Sequence, residues 1–234
     1  MPGSVALVGA GEFLPVMAAI DAELLASTGR ARPRVVVLPT ASWPDGEDVF
    51  LRWAALGVEH FEGLGAEVEV VLVRTRPDAD DAAHAQAVGE ADLIYLSGGK
   101  PDYLLKTLEG SAVWAAAVAA NARGSVIAGC SAGAMVLCSH QARFRTPPHL
   151  PLGFEPGLGL VSGVAVLPHY DRLPESLAAV RVAQAPRGIA ILGIDEDTAA
   201  IGRDGSWLVR GSGRVTVWHG RRRERHRAGE IFEI

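Results

Sequence analysis

Short apolar runs that alternate with longer stretches of helical character constrain the fold of this chain more than any other feature. The runs are rich in β-branched residues and predict strands at Val5–Val8, Arg34–Leu38, Val68–Val73, Asp92–Leu96, Ser125–Gly129, Gly163–Pro168 and Ile189–Ile194. The stretches between them predict helices at Leu14–Ser27, Glu47–Glu62, Ala79–Ala91, Pro101–Leu108, Ala112–Ala122, Ser131–Ser139 and Pro174–Ala185. Strands that are apolar throughout are typical of a parallel sheet with helices on both faces. The sequence therefore predicts a three-layer α/β fold with a mostly parallel sheet.

The last forty residues have a different pattern. Short strands separated by turn-forming glycines are predicted at Thr198–Gly202, Ser206–Arg210, Arg214–Trp218 and Glu230–Ile234. Short strands joined by tight turns are typical of an antiparallel meander, which we expect at the sheet edge. No internal repeat or low-complexity linker divides the sequence, so residues 1–234 are expected to form a single domain.

Composition narrows the function classes. The chain has 27 acidic and 22 basic residues and a net charge of −5, so neither nucleic acid nor an anionic membrane is an expected partner. No apolar run approaches the roughly 20 residues that span a bilayer. Two cysteines make no disulfide framework, and no Cys/His cluster has zinc-ligand spacing. We expect a cytoplasmic protein without a metal or a cofactor.

One segment, "GCSAG" at 129–133, has the G-x-S-x-G pattern at the junction of a predicted strand and a predicted helix. In that context the pattern predicts a nucleophile elbow, a sharp turn that exposes the serine oxygen. Ser131 is at its centre, and Cys130 is at a flanking position. The amide of Ala132, at the helix N-terminus, is placed to stabilise a developing oxyanion.

A serine hydroxyl needs a base to take its proton. Among seven histidines, His169 alone ends an apolar predicted strand, at the sheet edge where α/β folds bind ligands. A second apolar strand ends in Asp195, Glu196 and Asp197, and one of these carboxylates would orient the imidazole. The strand pattern leaves the choice among the three open.

Two glycines follow another predicted strand, in "LSGGKPDYLL". Backbone amides at such a turn can point at a ligand, and glycine allows the ligand to approach closely. The Gly99 amide is therefore predicted to be the second oxyanion donor. A different G-x-G, in "VALVGAGEF", lacks the third glycine of a dinucleotide-binding fingerprint and is not expected to bind a dinucleotide.

The segments "GAGEF", "YLSGGKPDYLLK", "GCSAGA", "LPHYD" and "GIDEDTA", in this order, resemble the dipeptidase E and cyanophycinase family of serine peptidases, whose fold is similar to that of class I glutamine amidotransferases. The resemblance implies that Ser131 is the nucleophile, His169 the base and Glu196 the triad carboxylate. It also implies that the amides of Gly99 and Ala132 form the oxyanion hole. Cyanophycinases have an aspartate–glutamine pair where this chain has Leu167 and Pro168, so the side chains of the substrate stay open.

The sequence therefore predicts a Ser-His-Glu hydrolase that cleaves an amide bond of a small peptide through an acyl-enzyme. Arg172 and Lys100, beside the inferred site, are candidate ligands for a substrate carboxylate. Two alternatives stay open: a cyanophycinase-like β-aspartyl peptidase, and a binding protein that keeps the fold without catalysis. A homodimer is also an open expectation.

Overall fold

The computed structural model describes residues 1–143, 153–203 and 205–234. Within these ranges the strands are β1 (Val5–Val8), β2 (Arg34–Leu38), β3 (Glu67–Val70), β4 (Leu93–Leu96), β5 (Val126–Cys130), β6 (His140–Ala142), β7 (Phe154–Pro156), β8 (Val164–Leu167), β9 (Ala190–Ile194), β10 (Thr198–Arg203), β11 (Ser206–Gly211), β12 (Arg214–His219), β13 (Arg222–Arg227) and β14 (Ile231–Glu233). The helices are α1 (Ala18–Ser27), α2 (Glu47–Gly63), α3 (Arg76–Ala79), α4 (Ala82–Gly89), α5 (Pro101–Leu108), α6 (Ala112–Arg123), α7 (Ala132–Leu137) and α8 (Glu175–Ala183).

The main sheet has the order β3-β2-β4-β5-β1-β10-β11-β14. Its first five strands are parallel, and β10, β11 and β14 continue it as antiparallel strands. Alternate residues of the parallel strands point to opposite faces. Leu7 and Ile94 pack with residues of α4 to α7, whereas Val8 and Tyr95 pack with residues of α1 and α2. The predicted three-layer α/β fold is confirmed.

A second sheet, in the order β13-β12-β9-β8, carries the two strands that precede the candidate base and acid. Strands β8 and β9 are parallel, and β12 and β13 pair with them as antiparallel strands. One face joins the core of the main sheet through Val166 and Leu192. The other packs against α8, where Leu167, Ile191 and Val182 belong to one cluster. Both faces are buried, so the apolar pattern of β8 and β9 resembles that of main-sheet strands and does not reveal the separate sheet.

The predicted C-terminal meander is divided between the two sheets, because β12 pairs with β9 while β10, β11 and β14 extend the main sheet. Strand β13, "RRERHR", lies outside the strands predicted from the sequence and is an edge strand paired with β12. The predicted helix Ala79–Ala91 is interrupted: Asp81 caps α4 by accepting hydrogen bonds from the amides of Ala83 and His84. A residue that caps a new helix has non-helical backbone angles, which separates α3 from α4.

Candidate active site

The strand-to-helix turn at Ser131 is sharp. Strand β5 ends at Cys130, α7 begins at Ala132, and Ser131 between them has φ 49° and ψ −105°. A non-glycine residue in such a conformation costs on the order of 1–3 kcal/mol, and this kind of strain is concentrated at functional sites. The flanking glycines allow the turn: a Cβ on Gly129 would lie 2.5 Å from the carbonyl carbon of Gly133. The local geometry is that of the predicted nucleophile elbow.

The neighbouring cysteine points away from the solvent. Cys130 is fully buried, and its thiol donates a hydrogen bond to Oε2 of Glu12 at 2.9 Å. Burial, together with the adjacent Glu12 carboxylate, raises the pKa of the Cys130 thiol well above its ordinary value. A protonated, inaccessible thiol is a poor nucleophile. Of the two adjacent candidates, only Ser131 lines the cavity described below.

The histidine side chain reaches Ser131 from the end of β8. His169 Nε2 lies 3.1 Å from Ser131 Oγ. The backbone of His169 is left-handed, with φ 50°, and turns directly into the short helical turn Tyr170–Arg172. Tyr170 packs on the backbone of β9, where a Cβ on Gly193 would lie 2.3 Å from its ring, and its hydroxyl accepts a hydrogen bond from Trp218 Nε1 at 2.9 Å. The aromatic residue next to the histidine is therefore held from two sides.

Of the three acids after β9, Glu196 faces the histidine. Its Oε1 lies 2.9 Å from His169 Nδ1, and its backbone amide donates to Asp171 Oδ1 at 2.9 Å. The hydrogen bond from His169, followed by the one from Arg172, lowers the pKa of Glu196 below its ordinary value. A carboxylate at Nδ1 favours the tautomer in which Nε2 accepts the serine proton.

The other two acids have different partners. Asp195 Oδ2 accepts a hydrogen bond from the Arg214 amide at 2.9 Å. The amide of Asp197 donates to the Ala10 carbonyl, and its side chain lies against Gly11. Glu196 is thus the acid that the backbone turns toward the imidazole.

The turn after β4 presents one unpaired amide. The amide of Gly98 donates to Glu12 Oε1, and the amide of Lys100 donates to the Ala41 carbonyl, both at 2.7 Å. Between them, the Gly99 amide donates to no acceptor in the described ranges. Gly99 has φ 140°, and a Cβ there would lie 2.3 Å from the Ala41 carbonyl oxygen, so only glycine fits.

The second predicted oxyanion donor, the Ala132 amide, belongs to the first residue of α7. The first amides of a helix have no partner inside the helix, and they carry its positive dipole end. Gly99, Ser131 and Ala132 line the same cavity. The structure therefore brings the predicted nucleophile and both predicted donors to one surface.

This cavity has a volume of about 780 Å³ and an apolar wall that includes Met135, Leu167 and Leu177. The two predicted carboxylate ligands, Arg172 and Lys100, also line it. Each forms an ion pair: Arg172 Nε lies 3.1 Å from Glu196 Oε2, and Lys100 Nζ lies 3.1 Å from Asp45 Oδ1. A third cation at this cavity, Arg181, was not predicted. It lies on a helix that was predicted only to cover the sheet, so no sequence pattern placed it at the site.

Arg181 lies at the cavity, only 5% exposed, and donates to the Arg143 carbonyl at 3.0 Å. Burial lowers the pKa of its guanidinium. Asp171 and Glu12 were likewise not predicted from the sequence. The one sequence feature that could have pointed to Asp171 is its position within the segment "LPHYD". For Glu12, that feature is its position within the segment "GAGEF".

Two other features, a metal centre and a membrane-spanning helix, are absent from the described residues. Their His, Cys, Asp and Glu side chains form no group of three or more arranged to hold a metal ion. In the same ranges, no helix combines the length and apolar character needed to cross a bilayer. A separate cleft of about 430 Å³, near Val5 and Trp207, contains none of the three candidate triad residues.

The sequence profile of Peptidase family S51 matches residues 5–209, a range that includes all the candidate site residues described above. The chain belongs to Peptidase family S51. This membership confirms the resemblance drawn from the five sequence segments. Cyanophycinase from Trichormus variabilis is 29% identical over 200 residues, which cover 81% of this chain and 64% of that protein. Cyanophycinase from Synechococcus elongatus is also 29% identical, over 174 residues that cover 67% of this chain and 51% of that protein.

The S51 chain thus spans less than two thirds of the length of these cyanophycinases. Its similarity to solved structures is more complete. A peptidase from an acI-B1 Actinobacterium has a TM-score of 0.89 and 33% identity, covering 100% of this chain and 98% of the other. A putative peptidase E from Listeria monocytogenes has a TM-score of 0.69 and 20% identity, covering 91% of this chain and 100% of the other. This similarity shows that the two chains share a fold.

Proposed function

We propose that this S51 chain is a serine peptidase that cleaves an amide bond of a small peptide through an acyl-enzyme. The observation that carries the proposal is the unbroken chain of contacts from Ser131 Oγ to His169 Nε2, and from His169 Nδ1 to Glu196 Oε1, at 3.1 and 2.9 Å. These distances are those of a nucleophile within reach of its base and a base held by its orienting acid.

In the proposed reaction, Ser131 Oγ attacks the carbonyl carbon of the peptide bond while His169 Nε2 takes the hydroxyl proton. The amides of Gly99 and Ala132 donate hydrogen bonds to the oxyanion. His169 then gives the proton to the leaving nitrogen, the C–N bond breaks, and an ester to Ser131 remains. Water attacks the ester, with His169 again taking and returning a proton. Glu196 stabilises the imidazolium throughout, without itself taking the proton.

The size of the cavity supports a small substrate. A volume of about 780 Å³ is within the range of small-molecule sites and suits a dipeptide or tripeptide. We propose that Arg172, and secondarily Lys100, bind a substrate carboxylate, because both are cations at this cavity. A β-aspartyl peptidase activity is the second candidate, and the similarity to cyanophycinases favours it.

A fluorophosphonate probe tests the proposal directly, because it forms a covalent bond with an activated serine. We expect labelling of the wild-type chain and none in Ser131→Ala, with loss of turnover by roughly 10⁶. Labelling that persists in Ser131→Ala would contradict the nucleophile assignment. Absence of labelling and of hydrolysis in the wild type would favour a binding protein. A dipeptide panel with N-terminal Asp, β-aspartyl and neutral members would then separate the two candidate specificities.

A further inference from the structure

The turn "GAGEF", residues Gly9 to Phe13, follows β1 and contacts the loop that carries Glu196. The amide of Gly9 donates to the Thr198 carbonyl at 2.9 Å, and the Asp197 amide donates to the Ala10 carbonyl at 3.2 Å. The approach is close: a Cβ on Gly9 would lie 2.1 Å from the Asp195 carbonyl oxygen. The two loops are therefore in direct backbone contact.

The side chain of Glu12 extends from this turn toward the other half of the site. It is 8% exposed, and its two oxygens accept hydrogen bonds from different elements. Oε1 accepts from the Gly98 amide at 2.7 Å, and Oε2 accepts from the Cys130 thiol at 2.9 Å. One buried carboxylate thus joins the turn after β4 to the last residue of β5, next to Ser131.

The backbone after Glu12 is held in an unfavourable conformation. Phe13 has φ 64°, which is uncommon for a bulky residue. Its ring is fixed in an aromatic cluster, 5.2 Å from Tyr95 and 6.1 Å from Phe61 between ring centroids. A conformation of this kind persists only where the surrounding packing imposes it. The packing of Phe13 therefore holds the turn that carries Glu12 in place.

We propose that Glu12 is a positioning residue that sets the orientation of the Gly99 amide in the oxyanion hole. This proposal rests on the serine peptidase function proposed above. Gly98 and Gly99 have no side chains to anchor them, so the orientation of their amides depends on the partners of the backbone in this turn. Glu12 holds the first amide, the Ala41 carbonyl holds the Lys100 amide, and the Gly99 amide between them is left directed at the cavity. Electrostatic stabilisation of an oxyanion depends on donors that are oriented before the reaction.

The proposal also gives Cys130 a role. A buried carboxylate oxygen without a hydrogen-bond donor is costly. The Cys130 thiol supplies that donor to Oε2 while Oε1 faces Gly98. Cys130 is therefore a partner of the positioning residue rather than a nucleophile.

Steady-state kinetics of Glu12 variants test the proposal, with hydrolysis of a small peptide as one readout and affinity for a peptidyl trifluoromethyl ketone as the other. That inhibitor forms a hemiketal oxyanion on the serine, so its affinity reports on the oxyanion hole. For Glu12→Leu we expect kcat to fall by about 10²–10³, the effect of losing one oxyanion donor. KM should change by less than about threefold, and inhibitor affinity should fall in parallel with kcat.

Two further variants separate position from charge. Glu12→Gln keeps an oxygen for the Gly98 amide and places its NH₂ beside the Cys130 sulfur, so kcat should stay within about tenfold of the wild type. Glu12→Asp keeps the charge but withdraws the carboxylate by about 1.5 Å, one carbon–carbon bond, and should be more damaging than Glu12→Gln. This pair remains informative if Glu12→Leu does not fold.

Asp21→Asn is the control, because Asp21 is also a buried carboxylate but bonds to His60 at 2.8 Å instead of to the oxyanion turn. It should affect the melting temperature and leave kcat unchanged. Unchanged kcat in a folded Glu12→Leu, or a loss in Glu12→Gln as large as in Glu12→Asp, would overturn the inference. Failure of the wild type to react with the fluorophosphonate would instead refute the proposed function.

Discussion

Arg172 Nε lies 3.1 Å from Oε2 of Glu196, the oxygen of that carboxylate that does not face His169. The Arg172 side chain is 72% exposed, so the ion pair adds little to stability. Its position is more informative than its energy. A substrate carboxylate that bound Arg172 would share the guanidinium with Glu196, the proposed triad acid.

Arg172→Met should therefore have two kinetic effects. KM for acidic dipeptides should rise by about 10- to 100-fold, the scale of a charge-assisted hydrogen bond. Turnover of neutral dipeptides should fall only a few-fold, because Glu196 keeps its hydrogen bond to His169. Lys100→Met is the comparison variant, because Lys100 lines the same cavity but pairs with Asp45 rather than with Glu196, and it should raise the KM for acidic dipeptides less than Arg172→Met does. Equal losses on acidic and neutral peptides would show that Arg172 acts only on Glu196.

Glu196→Gln should impair hydrolysis by about 10⁴, because an amide removes the charge that stabilises the imidazolium and favours the wrong tautomer. Asp195→Asn and Asp197→Asn should have much smaller effects on kcat. Their carboxylates contact the Arg214 amide and the Gly11 region instead of the imidazole. Single-turnover kinetics of the three variants would decide; a larger loss in Asp197→Asn would reassign the triad acid.

The lowered pKa of Glu196 has a predictable sign. The folded-state pKa lies below the unfolded value, so the ionised carboxylate stabilises the fold fully above its ordinary pKa. This contribution is lost as pH falls through the lowered folded value. The hydrogen bond from His169 is the largest cause, so His169→Ala should raise the Glu196 pKa more than Arg172→Met does. Carboxyl ¹³C NMR titration measures both shifts, and the reverse order would contradict the structure.

Gly99→Ala should abolish activity, because a Cβ there would collide with the Ala41 carbonyl at 2.3 Å and displace the free amide. Gly46→Ala is the control. Gly46 also has a positive φ, 108°, but a Cβ there would meet nothing within 4 Å. Gly46→Ala should cost about 1–3 kcal/mol of stability and leave kcat intact. Thermal melting and kcat, measured on both variants, separate backbone strain from the collision.

Iodoacetamide should leave the native protein active. Cys130 and Cys138 are both buried, and burial raises the pKa of each thiol, so little thiolate is present at pH 8. Titration with a thiol reagent should find no reactive thiol in the native chain and two after unfolding in guanidinium. Inactivation that persists in Cys138→Ala but not in Cys130→Ala would make Cys130 the nucleophile.

Local sequence patterns predicted the parts of the site that depend on local geometry. The pattern around Ser131 identified the elbow, because two flanking glycines and a strand–helix junction are readable from a few residues. His169 was identified by its place at the end of an apolar strand. Among the acids the strand pattern left three open, and the family resemblance chose Glu196. The choice agrees with the geometry because the backbone turns Glu196 alone toward His169.

Features that depend on distant contacts were not readable. Strands β8 and β9 belong to a separate sheet in which β9 pairs with β12. This pairing depends on tertiary packing, and the spacing of apolar residues along the strands does not reveal it. The proposed role of Glu12 depends on contacts with Gly98 and Cys130, which are 86 and 118 positions away in the sequence. The ion pair between Lys100 and Asp45 likewise joins two loops whose proximity no local pattern reveals.

The existence of two sheets divides the reactive groups into two half-sites. Ser131 and Gly99 follow strands of the main sheet, whereas His169 and Glu196 follow strands of the second. In the proposed mechanism both half-sites are needed for hydrolysis, so activity requires that the two sheets are correctly aligned. The packing of Val166 and Leu192 into the main core sets that alignment. Since both sheets contribute to one buried core, activity and the secondary structure of the two sheets should be lost together on heating.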